Sequence, residues 1–514
     1  MLLQEKIILK NKNQITTNKS TFASDVLIMA SAPLVTQALS IIILPIITRL
    51  YEPGAFGLFA LFASIVNPIC VFSNLGYSSA IMLPKSDKIA SNVLAVCLFF
   101  TVLISVLSAA IIFFCGETIS HLLKIPELYN YLWLIPVNVF LVGLYFTLRY
   151  WNMRKKRFGH ISIANIVQYI SNNGIILGAG LSGYATGFSL ILGSIISVIL
   201  SPMVLSRRIL RGNKELFQNS IRWHKMLASM KRFKKFPKYI IWNDLISRLS
   251  AELPIYFIAV YFSRPVIGFY SLGLRLLRIP MGMLGNSIGE VYFQRESQNK
   301  EINPLLLEKL FRNLVIFGLP PFFLFCIISE DLFSIVFGTN WSEAGVYAQI
   351  LSLLIFIQFI TIPASYLMLI FEKQEFSLIL NIAVIVTTII AITIGGLLNN
   401  IYISFFLLTL LNGLVYAIYG FNFMNYAGLT FNKIFKIISQ NFIISLPIFI
   451  LVSLAKWHFQ LSSLIIILIS VFVMIIFYSV FLRQDEDLRQ IILQLLRKIS
   501  FLNKKGKKKI YPEK

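Results

Sequence analysis

The sequence predicts an all-α polytopic membrane protein with about 14 transmembrane helices. Of its 514 residues, 57% are hydrophobic and only 13% are charged, whereas soluble domains contain about 25% charged residues. The apolar residues also form runs close to the length of about 20 residues that crosses a bilayer as a helix. The predicted spans are 25–47, 55–82, 89–115, 129–148, 161–181, 184–205, 239–262, 266–291, 310–329, 345–370, 376–398, 402–424, 437–456 and 461–482.

The net charge of +24 suggests a nucleic-acid partner at first sight, but the distribution of the charges argues against one. With a cytoplasmic N-terminus, the outer loops contain only Arg49, Lys124, Arg264 and Lys456 of the 46 lysines and arginines. Such an excess of cations in the cytoplasmic loops fixes the orientation of a membrane protein. We therefore expect a plasma (inner) membrane protein with both termini in the cytoplasm and no nucleic-acid partner.

Polar interruptions divide the predicted spans into two six-helix halves and an additional pair of helices. The interruption after the sixth span, and the tail after the last span, each resemble a basic amphipathic helix on a surface of anionic lipids. Four cysteines without paired spacing predict neither a disulfide framework nor a metal site. The predicted segments are a cytoplasmic N-terminus at 1–24, the first half at 25–206, a linker at 207–238, the second half at 239–425, two further helices at 426–483, and a tail at 484–514.

The two halves resemble each other where each begins. Aligning Gly57 with Gly268 superposes Phe-Gly-Leu-Phe on Ile-Gly-Phe-Tyr. The same alignment places Ser64 opposite Arg275, and it places Asn67 opposite Arg278. Because both halves contain six spans, they would have the same orientation. The sequence thus predicts a parallel repeat around a central cavity.

Charged residues interrupt the seventh and eighth spans. Arg275 and Arg278 lie three residues apart on one helical face, while Asp244, Arg248 and Glu252 follow one another at intervals of four residues. An arginine at mid-membrane costs about 2.5–3.5 kcal/mol on insertion scales, so such residues usually face a water-filled cavity or a charged partner. These five residues predict a charged interior.

Three segments resemble one known family. They are SAPLVTQALS at 31–40, PIITRLYEPGAFGLF at 45–59 and NLGYSSAIMLP at 74–84. All three are similar to the start of bacterial polysaccharide-repeat (O-antigen, lipopolysaccharide or capsule) flippases, often called Wzx-type. This family belongs to the multidrug/oligosaccharidyl-lipid/polysaccharide exporter superfamily. The resemblance implies transport of an undecaprenyl-pyrophosphate-linked oligosaccharide from the inner to the outer leaflet by alternating access.

An anionic pyrophosphate fits the arginines, whose planar forks can hold two phosphate oxygens. We expect Arg275 and Arg278 to contact it and Arg248 to shape the cavity with Asp244 and Glu252, with one cation in excess over the two acids. Two alternatives, in which the arginines have only a structural role, stay open. Arg248 could form an ion-pair ladder with the acids on either side, and the arginine pair could be neutralised by those same acids.

Asp25, at the start of the first span, is interpreted as a helix N-cap or as a carboxylate that couples transport to H+ or Na+. The resemblance to the superfamily implies such coupling. A drug or metabolite antiporter of the same superfamily is the nearest alternative function. A membrane polymerase or ligase is a further alternative, but it would need a large catalytic outer loop. We expect no enzyme activity, no catalytic residue and no cofactor.

Overall fold

The computed structural model describes residues 32–484 apart from 34, 123–124, 282–302, 372 and 374. Asp25, the N-terminal segment and nearly all of the predicted basic tail lie outside this part. The described residues form helices joined by short turns and contain no strand. In the first half the helices are α1 (Val35–Leu50), α2 (Pro53–Val71), α3 (Tyr77–Ala80), α4 (Asp87–Leu122), α5 (Tyr129–Leu132), α6 (Leu134–Arg154), α7 (Phe158–Leu181) and α8 (Gly187–Ser220).

The amphipathic helix α9 (Trp223–Arg232) connects the halves, as the sequence predicts. Asn92 of the first half binds the residues just before α9. Its amide N–H donates to the carbonyl of Ser220 over 3.0 Å, and its amide oxygen accepts from the N–H of Arg222 over 3.1 Å. The second half and the additional pair comprise α10 (Ile241–Tyr261), α11 (Arg264–Leu277), α12 (Pro304–Phe337), α13 (Ser342–Ile360), α14 (Ile362–Ile370), α15 (Glu375–Leu397), α16 (Ile401–Tyr426), α17 (Phe431–Ser453) and α18 (Ser463–Gln484).

Ten helical segments in the described part are long and apolar enough to cross a membrane, which confirms the all-α polytopic fold. The count of 14 stays a prediction, because four of the predicted spans do not meet that standard. Helix α10 carries three charged side chains, and the amides of α7 lower its mean hydropathy. The described parts of α1 and α11 are short. These four helices, with the residue that ends α11, carry Asp244, Arg248, Glu252, Arg275 and Arg278 and the polar side chains beside the two last arginines.

The two halves meet where α2 crosses α11. A Cβ atom on Gly57 would lie 2.0 Å from the carbonyl oxygen of Arg264, and one on Gly268 would lie 2.0 Å from that of Pro53. The second contact repeats the first with the halves exchanged, because the same alignment that pairs the glycines pairs Pro53 with Arg264. Only glycine lets two helix backbones approach this closely. The crossing therefore has the two-fold relation that a parallel repeat predicts.

Side chains join the halves at the end of the bundle where α1 ends and α2 begins, which is the predicted outer end. The indole of Trp341 donates to the carbonyl of Thr48 over 2.7 Å. Arg49 donates to the carbonyl of Ile335 over 2.9 Å. The ring of Phe56 meets Trp341 edge to face, with centroids 4.9 Å apart. This end is closed by packing and hydrogen bonds together.

The additional pair, α17 and α18, packs against α12. At its turn, the Lys456 ammonium lies 2.6 Å from the Asp331 carboxylate, which also accepts from the Ser463 hydroxyl over 2.6 Å. Both charged side chains are largely shielded. A second ion pair joins Lys433 of α17 to Glu308 of α12 over 2.7 Å, and the Tyr478 hydroxyl of α18 donates to the carbonyl of Phe317 over 3.1 Å. Ion pairs and hydrogen bonds thus fix the additional pair to the second half.

Candidate functional site

Arg275 and Arg278 lie on the open face of α11. The neighbouring Leu274 and Leu277 are buried, whereas both arginines are exposed to a cavity of about 460 Å³. The cavity lies between α11, α1 and α7, with the end of α12 closing one side. Its polar lining, besides the two arginines, consists of Thr36, Gln37, Ser40 and Tyr169. We call this space the arginine cavity.

No carboxylate is among the described residues that line the arginine cavity. One guanidinium nitrogen of Arg275 donates to the hydroxyl of Ser40 over a long 3.4 Å. Within the described part of the chain, neither arginine has an acid within the 4.0 Å of an ion pair. The site therefore presents two positive charges that can be neutralised by a ligand.

Asp244 and Arg248 line a different and larger cavity of about 1030 Å³ between the halves. This acid–base cavity is bordered mainly by α2, α6 and α10, and its polar side chains include Asn67, Asn74 and Asn138. Asp244 and Arg248 are both exposed to the open space. Their opposite charges give this lining no excess of cations.

Glu252 is half-buried at the contact between α10 and α2. Its carboxylate accepts a hydrogen bond from the amide of Asn67 over 2.8 Å. One turn further along, the hydroxyl of Tyr256 donates to the carbonyl of Ser64. These two bonds close the α2–α10 seam, which we define as the contact of Ser64 and Asn67 with α10.

The structure contradicts both ion-pair alternatives among the described residues. Arg248 has neither Asp244 nor Glu252 within 4.0 Å, so the expected ladder along α10 does not form. The spacing permits a ladder without enforcing it, and the facing helix supplies Asn67 as the partner of Glu252. The five residues still carry one cation in excess, but they do not share one site, because Arg275 and Arg278 line the arginine cavity and the two acids lie elsewhere.

Sequence reasoning missed Gln37, Ser40 and Tyr169 as neighbours of the arginines. Thr36, Gln37 and Ser40 recur within one turn of an otherwise apolar helix, and this spacing is a signal that could have found them. Tyr169 comes from a distant part of the chain and left no local signal. No group of histidine, cysteine, aspartate or glutamate in the described residues could hold a metal ion.

A family model described as "Polysaccharide biosynthesis protein" matches residues 46–346, which is more than half of the chain. The chain belongs to this family. This match confirms the predicted resemblance to a polysaccharide biosynthesis family. The matched region includes Arg275 and Arg278 of the arginine cavity and the whole α2–α10 seam.

One relative is similar in sequence over part of the chain, and two solved structures share its fold. A teichuronic acid biosynthesis protein, TuaB of Bacillus subtilis strain 168, is 22% identical over 160 residues, which cover 29% of this chain and 33% of that relative. The solved lipid II flippase MurJ, in an inward closed conformation, superposes with a TM-score of 0.69 at 16% identity, covering 89% of this chain and 99% of MurJ. An inward-facing multidrug resistance MATE family transporter superposes with a TM-score of 0.59 at 13% identity, covering 80% and 98%.

Proposed function

We propose that this protein is a flippase for an undecaprenyl-pyrophosphate-linked oligosaccharide, and that Arg275 and Arg278 bind the pyrophosphate. One observation carries the proposal: two arginines on one helical face line a cavity whose described lining contains no acid. A pyrophosphate supplies the missing negative charge, and arginine forks match its oxygens in pairs. Family membership in polysaccharide biosynthesis supports a lipid-linked sugar as the cargo.

Transport would proceed by alternating access between the inner and outer leaflets. In the present arrangement the halves are joined at the predicted outer end by Trp341 and Arg49. Release to the outside therefore requires these contacts, and the nearby glycine crossing, to separate as the halves rock. The prenyl chain would remain in lipid while the charged head group passes the arginines.

The antiporter alternative is favoured by a different observation. Asp244 lines the acid–base cavity, and Glu252 lies at its wall beside Asn67. An acid in a cavity suits a cationic drug or a coupling ion. H+ or Na+ coupling through these acids, or through Asp25, remains a prediction, and drug efflux that persists without any lipid-linked sugar would favour the antiporter.

The flippase proposal is tested by removing both charges with Arg275→Gln and Arg278→Gln. Charge-assisted hydrogen bonds contribute about 1.5–3 kcal/mol each, so we expect transport of undecaprenyl-pyrophosphate-linked oligosaccharide in vesicles to fall about 100-fold. The matched control is Lys85→Gln with Lys88→Gln, which removes two exposed cations, one just before α4 and one in its first turn. Wild-type transport in the arginine variant, at equal protein content, would refute the proposal.

A further inference from the structure

A third cavity, of about 410 Å³, lies within the second half and belongs to neither site described above. It is enclosed by α13, α14, α15 and α16 and by Met281. No charged side chain is among the described residues that line it. Three tyrosines contribute to its wall, together with Gln358 and Ser365. We call it the neutral cavity.

Several polar groups in the neutral cavity form no hydrogen bond with the part of the chain that the structure describes. The Gln358 amide, the Ser365 hydroxyl and the Tyr416 hydroxyl form no hydrogen bond with any described residue. By contrast, the Thr361 hydroxyl donates to the carbonyl of Ile357 over 2.8 Å, and the Tyr419 hydroxyl is bonded to the sulfur of Met368. Polar groups in a mainly apolar, aromatic pocket fix the orientation of a ligand. The amide and the two hydroxyls supply both donors and acceptors.

The neutral cavity and the arginine cavity are lined by neighbouring residues of the chain. Met281 lines the neutral cavity and follows Arg278, which lines the arginine cavity, by three residues, so their Cα atoms lie at most about 11 Å apart. A ligand held by the arginines can therefore extend into the neutral cavity through the group next to its phosphates.

We infer that the neutral cavity binds the first sugar of the lipid-linked cargo, the sugar joined directly to the pyrophosphate, through Gln358, Ser365 and Tyr416. This inference rests on the proposed function. A sugar is uncharged, carries hydroxyls for these groups and presents apolar ring faces that suit tyrosine. The volume lies at the small end of ligand pockets, roughly 300–1,000 Å³, so the cavity takes the start of the oligosaccharide rather than the whole repeat.

The inference is tested by comparing binding of undecaprenyl pyrophosphate with binding of the same lipid carrying one hexose or one N-acetylhexosamine, across a panel of such sugars. For the wild-type protein in vesicles, at least one sugar should tighten binding about tenfold. Gln358→Leu with Tyr416→Phe should abolish this gain and leave the affinity for the sugar-free lipid unchanged. Retained sugar-free binding also shows that the variant is folded.

The matched control is Tyr402→Phe, on the same helix, because the Tyr402 hydroxyl is bonded to Glu343 at the predicted outer end. In this control variant, the added sugar should still tighten binding of the lipid about tenfold. If the double variant loses sugar-free binding, Ser365→Ala takes its place with the same expectation. Equal binding of all lipids to the wild type, or an unchanged gain in the variants, would overturn the inference. If the wild type bound undecaprenyl pyrophosphate no more tightly than undecaprenyl phosphate, that result would instead contradict the proposed function.

Discussion

The α2–α10 seam and the arginine cavity occupy related positions between the halves and have different chemistry. In the α2–α10 seam, Ser64 and Asn67 meet Tyr256 and Glu252 through close hydrogen bonds. At the positions aligned with Ser64 and Asn67, α11 carries Arg275 and Arg278 facing α1, and the space between them stays open as the arginine cavity. One backbone arrangement thus serves twice, and the side chains decide whether it becomes a packed contact or a binding site.

The largest expected effect concerns the crossing of α2, which carries Ser64 and Asn67, with α11, which carries the arginines. Gly268→Leu places a side chain where even a Cβ atom would lie 2.0 Å from the carbonyl oxygen of Pro53. We expect a loss of about 3 kcal/mol in the free energy of unfolding, because the two backbones must separate. Gly57→Leu should cost a similar amount if the crossing is two-fold.

Gly174→Leu is the control for the crossing, since a Cβ there meets nothing within 4 Å. Thermal unfolding of the purified protein in detergent measures all three variants. Equal stability of the Gly268 and Gly174 variants would show that the crossing is not tight.

A smaller effect is expected at the closed seam. Glu252→Leu leaves the Asn67 amide without its acceptor, and an unsatisfied buried donor costs about 2 kcal/mol. Glu252→Gln keeps an acceptor oxygen in the same place and should be nearly neutral for stability and for transport. Unfolding and vesicle transport are measured on both variants. A Gln variant that is stable but inactive would show that Glu252 acts through its charge, and it would favour ion coupling.

The smallest effect is expected for Tyr256→Phe, which removes one hydrogen bond to the carbonyl of Ser64. Interhelical hydrogen bonds in membranes contribute about 0.6 kcal/mol on average. We therefore expect a barely measurable shift in the unfolding temperature and normal transport. A large loss of stability would mean that the closed seam depends on this bond more than on the Asn67–Glu252 contact.

The sequence predicted what is local or repeated. The spacing of Arg275 and Arg278 placed both on one face, and the alignment of Gly57 with Gly268 predicted the parallel repeat, although not that these glycines meet at a crossing. It did not predict the partner of Glu252, because Asn67 lies 185 residues away and only the fold brings the two together. For the same reason, it could not separate the charges of α10 and α11 into two cavities, since intervals of four residues indicate proximity along one helix but not across helices.

Binding of undecaprenyl pyrophosphate and undecaprenyl phosphate to the purified protein tests the central claim most directly. The wild type should bind the pyrophosphate lipid at least about tenfold more tightly, because two arginines hold two phosphate groups. Arg275→Gln with Arg278→Gln should weaken pyrophosphate binding about 100-fold and remove the preference, while Lys85→Gln with Lys88→Gln should change neither. Equal affinity for both lipids in the wild type, or an unchanged preference in the arginine variant, would contradict the account.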